Sequence, residues 1–300
     1  MTAINSSTTT PKPRKKAPLV SVWGPVVFLL LPFLAVYLMF FVWPAVQTIV
    51  LSFTNSGLTQ TGAFVGLTNF KTLMADASFW DSLRHTAYFS LLTVIPLTAV
   101  GMVLALLTKA GGRLRRVAQA IFFIPYVLPV SVATLIWQWV LNPSLGVVNA
   151  VTGSETSWFS DPALAMPAVA AVTVWWTVGF NMLLFLAGLQ NIPQDVYEAA
   201  SLDGAQGFQV FRYITWPSLW PTTTLVLTLQ LVASFKIFSQ VYLLTAGGPF
   251  DTTRVVLVYM YNTAFTDTNA GYASAIAVAF FIAILLLTLA QNFLLSRTRS

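Results

Sequence analysis

Apolar residues along this chain fall into long unbroken runs, not into the alternating or three-to-four spacing of soluble strands and helices. A helix needs about 20 mostly apolar residues to cross a bilayer. Six runs qualify: residues 22–43, 87–108, 117–141, 164–190, 222–245 and 272–295. Lipid offers backbone groups no partner, so the pattern predicts an all-α membrane protein, a closed bundle of six transmembrane helices. One part-charged segment interrupts it between the fourth and fifth runs, EAASLDGAQGFQVFRYITWPSL, residues 198–219. Glu198, Ala199, Ala200 and Ala205 favour helix, which predicts one over 195–206 that stops or bends where Gly204 follows Asp203. Asn191, or Pro193 after it, ends the fourth span. A second short amphipathic helix is predicted from Phe208 to about Thr215, with Val210, Phe211 and Ile214 at helical spacing. Pro217 and Pro221 then restart the chain into the next pass. The pattern alone leaves two readings of this elbow, a knob for another protein or a helix resting on lipid headgroups.

Charge gives the runs a direction. Only 8% of the 300 residues are charged and 57% are hydrophobic, against about 25% charged in soluble domains. The first run is too long for a signal-peptide core of about 7–15 residues and is read as a retained span. Lys12, Arg14, Lys15, Lys16, Lys109, Arg113, Arg115, Arg116, Arg212, Arg297 and Arg299 fall on one side of the predicted bundle. Lys71, Arg84 and Arg254 fall on the other, and Lys236 lies inside the fifth run. Both termini and the elbow are therefore expected to be cytoplasmic. Topology accounts for the net charge of +6, which leaves no reason to expect nucleic acid. The domain reading is a disordered cytoplasmic tail, 1–20, and one transmembrane domain, 21–300, that includes the elbow at 191–221.

Several chemistries drop out. The chain has no cysteine and one histidine, His85, so disulfides, thiol catalysis and Cys- or His-rich metal sites are excluded. No glycine-rich phosphate loop with its lysine is present, so ATP hydrolysis would have to come from elsewhere. No acid–base constellation suggests an intramembrane enzyme. No Asp or Glu lies within a predicted span, which deprives a self-sufficient secondary carrier of ligands for protons or sodium. Polar groups inside the fourth and fifth runs are the solute-contact candidates: Trp176, Thr177 and Asn181, then Gln230 and Ser234 on one helix face and Lys236 and Gln240 on another. The competing reading packs Trp175 and Trp176 against a neighbouring helix. An intramembrane lysine needs a partner or water, so Lys236 meets a solute phosphate, meets a carboxylate of a sister subunit, or snorkels outward. Pro32, Pro96, Pro125 and Pro129 are hinges or static kinks. His85 reads as an outer-end residue without a partner, and Gly247-Gly248-Pro249 as a tight turn.

The elbow's spacing resembles a known pattern. Glu198-Ala199-Ala200, Gly204, Ile214 and Pro217 stand as in the EAA loop of binding-protein-dependent ABC importers, with Trp216 where Leu is usual. FVGLTNF (64–70), FWDSLRHTAYFS (79–90), IFFIPYVLPVSVATLIWQWVLNPSLGVVN (121–149), SFKIFSQVYLLTAGGPFDTT (234–253) and GYASAIAVAFF (271–281) resemble carbohydrate-type permeases in the same order. The resemblance implies a bacterial inner-membrane subunit that pairs with a second, homologous permease. It implies two copies of a cytoplasmic ABC ATPase, which bind the ATP and Mg that this chain does not, and an extracytoplasmic solute-binding protein near the Gly-Gly-Pro turn. Glu198, Ala199, Ala200, Asp203, Gly204, Ala205, Phe208 and Arg212 would form the ATPase-facing set. Glu198 would pair with basic residues, Asp203 and Gly204 would set the turn, and Ala205 would make the close contact. The solute implied is a disaccharide such as trehalose or maltose, or alternatively glycerol 3-phosphate or its diesters. The Phe-Lys pair recurs in sugar permeases, which favours a structural pairing of Lys236 over a phosphate contact.

Overall fold

The computed structural model describes residues 19–110 and 112–297. Residues 1–18, with Lys12, Arg14, Lys15 and Lys16, and Arg299 lie outside the described residues. The described chain is helical, with one isolated bridge, Thr54–Phe64, and no strand. It divides into two compact units, 1–50 and 51–300. In the first, α1 (Leu19–Tyr37) passes through a π-helical turn, Leu38–Val42, into α2 (Trp43–Leu51). This stretch is apolar around its circumference, as a lipid-embedded helix is.

The second unit holds α3 (Thr68–Ala75), α4 (Ala77–Ala110), α5 (Arg115–Val127), α6 (Val130–Val140), α7 (Val147–Thr152) and α8 (Ala165–Gln190). It continues with α9 (Gln194–Leu202), α10 (Phe208–Val210), α11 (Trp216–Phe235), α12 (Ser239–Leu244), α13 (Val256–Tyr261) and α14 (Ala270–Arg297). Helix α8 is the centre of the bundle and packs on α4, α5 and α11. Towards its start, Val169 and Val172 are buried with Phe89, Val241 and Val258. Towards its end, Met182, Phe185 and Leu189 are buried with Ala105, Leu219 and Val226. Gly179 lets α5 lie directly against α8, because a Cβ there would overlap the Phe122 carbonyl. Gly179→Ala is therefore expected to destabilise the bundle by about 1–3 kcal/mol, as overpacking does. Thermal melting of the purified chain in detergent checks this, and an unchanged melting point would contradict it.

All six apolar runs are helical, but four of them differ from their predicted form: the first, expected to end at residue 43, continues as helix to Leu51. The second begins ten residues early, so Asp81 lies in the first turns of α4. The third is two helices bent by 100°. Leu128 precedes Pro129 and is extended (φ −67°, ψ 139°), as steric clash with a following proline ring demands. The fifth was expected to end at Thr245 after a separate short amphipathic helix. Instead one helix runs over Phe208–Phe235. It absorbs Pro217 and Pro221 by way of a π-helical turn, Phe211–Thr215, which locally shifts the hydrogen-bond register. That helix ends at Phe235, the chain turns through Lys236–Phe238, and α12 is a separate short piece. Lys236 is thus not within a continuous helix but at the break between two.

Candidate functional site

Helix α9 is the elbow. Pro193 is its N-cap and Asp195 lies in its first turn, where a negative charge suits the helix dipole. Its end is closed by two backbone bonds, Gly204 N–H to the Ser201 carbonyl at 3.1 Å and Ala205 N–H to the Ala200 carbonyl at 2.9 Å. This double closure is a Schellman stop, and it needs Gly204 in the left-handed region, at φ 78°. Three contacts fasten the elbow to the bundle. Ala200 is buried. The Lys109 ammonium sits 4.7 Å from the centre of the Tyr197 ring. The Tyr197 hydroxyl meets the Thr215 hydroxyl at 3.3 Å. The outward face carries Glu198, Ala199, Asp203 and Gly204, with Phe208 and Arg212 just beyond, all exposed; Ala205 is half-buried. Leu202 is 89% and Tyr213 74% exposed on the same elbow, which adds an apolar surface that sequence reasoning did not single out.

The solute candidates converge. A cavity of about 430 Å³ is lined by Trp176, Thr177, Gln230, Ser234, Lys236 and Gln240 together. The volume is within the roughly 300–1,000 Å³ usual for small-molecule sites. The sequence had put Gln230 and Ser234 on one face and Lys236 and Gln240 on another. The helix break after Phe235 brings both pairs to one wall. Asn181 stands just behind that wall. It is fully buried and accepts a hydrogen bond from Gln230 Nε2 at 2.8 Å. Ser234 shares a hydrogen bond of 2.9 Å with Thr93 of α4. The Trp176 indole N–H donates to the Leu128 carbonyl at 3.1 Å, satisfying a backbone group exposed by the bend, so Trp176 offers the cavity its ring face. Trp175 instead meets Trp137 edge-on at 5.5 Å, which is the packing role. Tyr126 and Phe180 complete an aromatic wall, stacked at 4.9 Å, with Tyr126 6.0 Å from Trp176. Tyr126 was missed because its approach depends on the bend at Pro129.

A second polar cluster lies at the other end of α4, away from the elbow. Asp76 accepts hydrogen bonds from the Tyr259 hydroxyl (2.5 Å), the Tyr272 hydroxyl (2.6 Å) and the Ser78 N–H (2.9 Å). It thereby clamps α13 and α14 to the start of α4. Burial alone would raise the Asp76 carboxyl, but the two tyrosines and the N–H groups of Ser78 and Phe79 outweigh it and hold the carboxyl below its ordinary value. Burial, then the bond to Asp76, pushes Tyr259 up to about 12. A lowered carboxylate contributes stability above its unfolded pKa and loses it as pH falls through the folded value. A raised phenol contributes below its unfolded pKa and loses it as pH rises through about 12. The stability difference between the native protein and Asp76→Asn is therefore expected to be flat between about pH 5 and 9 and to shrink below about pH 4. Melting points of both across that range check this, and a difference that varies near neutrality would contradict it. His85, expected to lack a partner, has one: its Nδ1 lies 3.2 Å from the Arg254 carbonyl. The Gly-Gly-Pro stretch forms a tight turn with a cis Gly248–Pro249 bond. Among the described residues no group of three or more His, Asp or Glu could hold a metal ion.

Residues 97–300 match the family described as binding-protein-dependent transport system inner membrane component, and the chain belongs to that family. It is 35% identical over 273 residues to the multiple sugar-binding transport system permease MsmF of Streptococcus mutans, covering 90% of this chain and 93% of that one. It is 34% identical over 271 residues to the sn-glycerol-3-phosphate transport system permease UgpA of Agrobacterium fabrum, covering 88% and 92%. Its fold matches a bacterial ABC transporter involved in import of the acidic polysaccharide alginate, with TM-score 0.83 at 22% identity over 93% of this chain and 97% of that one. This is a multi-pass inner-membrane subunit of a binding-protein-dependent ABC system, a carbohydrate-type importer permease.

Proposed function

We propose that this chain forms half of the pathway for a sugar or sugar-like solute, the other half coming from a second, homologous permease. In this reading both termini and α9 face the cytoplasm, and the Asp76 end faces the solute-binding protein. ATP is hydrolysed by two copies of a partner ATPase, and α9 takes their movement into the bundle. The observation that carries the reading is the stopped, exposed helix α9, bonded to α4 and to the π turn before α11. A short helix tied through Tyr197 to α4 and to the π turn transmits a displacement that a flexible loop would absorb. The cavity suits a saccharide, whose apolar face would lie on Trp176 and Tyr126 while its hydroxyls meet the polar wall. The similar permeases are named for sugars and for glycerol 3-phosphate, which supports a solute of that size range, from a disaccharide down to the phosphate ester.

The chain has no cysteine of its own, so a single one can be placed at will. Leu202→Cys is expected to cross-link to the ATPase in the assembled complex, and Phe250→Cys, in the loop before α13, is not. Cross-linking of Phe250→Cys to the ATPase, with none from Leu202→Cys, would overturn both the orientation and the role of α9.

A further inference from the structure

We propose that α3 is an interfacial helix. It lies on the bilayer surface at the Asp76 end of the bundle, with one side sunk among lipid headgroups and upper acyl chains. The helix is Thr68–Ala75, with Leu67 as its N-cap. At 3.6 residues per turn its positions fall into three sectors. Asn69 and Leu73 face the protein. Leu73 is 1% exposed, and the Asn69 side-chain amide donates to the Ser52 and Thr54 carbonyls at 2.9 and 2.8 Å. Leu67 and Met74 form the second sector, 59% and 65% exposed. Thr68 and Thr72 form the third, exposed and polar. Lys71 stands at the seam between the second and third. A helix between protein and water needs only two sectors. A separate apolar sector bordered by lysine is the pattern of a helix at a lipid surface. From the seam, the lysine stem lies along the apolar side and the ammonium reaches headgroup phosphates.

The packing of α3 sets its depth and direction. Leu73 is buried in one cluster with Ile276 and Phe280 of α14. These stand four and eight residues inside the apolar run 272–295, roughly 6–12 Å below its first residue at about 1.5 Å per residue. The helix therefore sits level with the edge of the hydrocarbon, deeper than a soluble binding protein reaches. The Trp80 indole N–H donates to the Met74 carbonyl at 3.1 Å. That bond ties the end of α3 to the face of α4 that carries Trp80, Arg84, Tyr88, Leu91 and Ile95, all exposed. Their spacing keeps them on one side of α4, the side turned away from α8 and α11. The apolar sector of α3 thus continues a stripe that descends along the span, with Trp80 and Tyr88 at the level where interfacial aromatics gather. Phe53 carries the apolar surface onto the neighbouring bridge, stacked on Phe64 at 6.4 Å and meeting Phe70 at 5.5 Å.

The test is nitroxide accessibility in the complete importer, with its second permease and ATPase made cysteine-free, in phosphatidylcholine vesicles. This chain has no cysteine, so Leu67→Cys, Met74→Cys and Thr72→Cys each carry a single label. Power saturation compares oxygen, which concentrates in lipid, with a nickel chelate, which stays in water. The oxygen-to-nickel ratio at Leu67→Cys and Met74→Cys is expected to be at least about fivefold above that at Thr72→Cys. It is expected to stay within about twofold when binding protein is added, since lipid already covers that side. Phe64→Cys, outside the helix, is a second reporter and is expected to follow Met74→Cys. Equal ratios on the two sides of α3 would overturn the proposal. Exclusion of both reagents from Leu67→Cys and Met74→Cys would also overturn it, by assigning that side to the second permease. Exclusion only after binding protein is added would overturn it by assigning that side to the binding protein.

Discussion

Replacing Gly204 with proline is expected to abolish solute-driven ATP hydrolysis and uptake, by at least about 100-fold, while the chain still inserts and pairs. Gly204 holds φ 78°, and a proline ring fixes φ near −65°. The substitution also removes the N–H that bonds the Ser201 carbonyl, and it misdirects Ala205 from Ala200. Both closures of the helix end are lost together, so α9 frays where it should be stiff. Gly204→Asn is the control, because asparagine tolerates the left-handed region at modest cost; it is expected to keep most of the uptake. Glu198→Arg isolates the partner contact from the fold. Glu198 is exposed, and no hydrogen bond or ion pair from its side chain is found among the described residues. Its reversal should leave melting unchanged within about 0.5 kcal/mol and still uncouple hydrolysis from uptake. Normal uptake by both Gly204→Pro and Glu198→Arg would show that α9 is not the coupling element.

The cavity wall gives the second large effect. Trp176→Ala is expected to lower uptake about 100-fold, and Trp176→Phe only about 3–10-fold. Alanine removes the ring on which a sugar face would lie and leaves the Leu128 carbonyl unpaired at the bend. An aromatic face and its burial are together worth about 3 kcal/mol, and each 1.4 kcal/mol is about tenfold. Phenylalanine keeps a face and loses the N–H, so it measures the bond to Leu128 by itself. Initial uptake rates at subsaturating solute separate the two. Equal losses from both variants would mean that Trp176 acts through the bend in the third span and not through the solute.

Much of this was legible in the residues because lipid enforces it. Long apolar runs in a chain with so little charge can only be spanning helices, and Asp203-Gly204 after a run of helix formers can hardly be other than a helix stop. Packing hid the rest. Pro125 and Pro129 were visible as candidate kinks, yet a 100° bend depends on where α8 and Trp176 can receive the freed Leu128 carbonyl. No glycine or proline marks the end of α11 at Phe235, so a continuous run to Thr245 was the natural reading. The break there puts Lys236 and Gln230 on the wall of one cavity. It also places Ile237, Val241 and Leu244 in the core with Phe89 and Val169. Pro217 and Pro221 misled in the opposite sense, because a π turn carried the helix past both. The Asp76 clamp joins residues 183 and 196 positions apart, and no local pattern announces such a pair.

The central claim is that the work comes from a separate nucleotide-hydrolysing partner, taken up by α9. Accumulation of labelled solute against its gradient in proteoliposomes tests it most directly, comparing the complete complex with this chain alone. Accumulation should require the ATPase, ATP and the binding protein together, and vanish when any one is left out. Uphill accumulation by the chain alone would contradict the account.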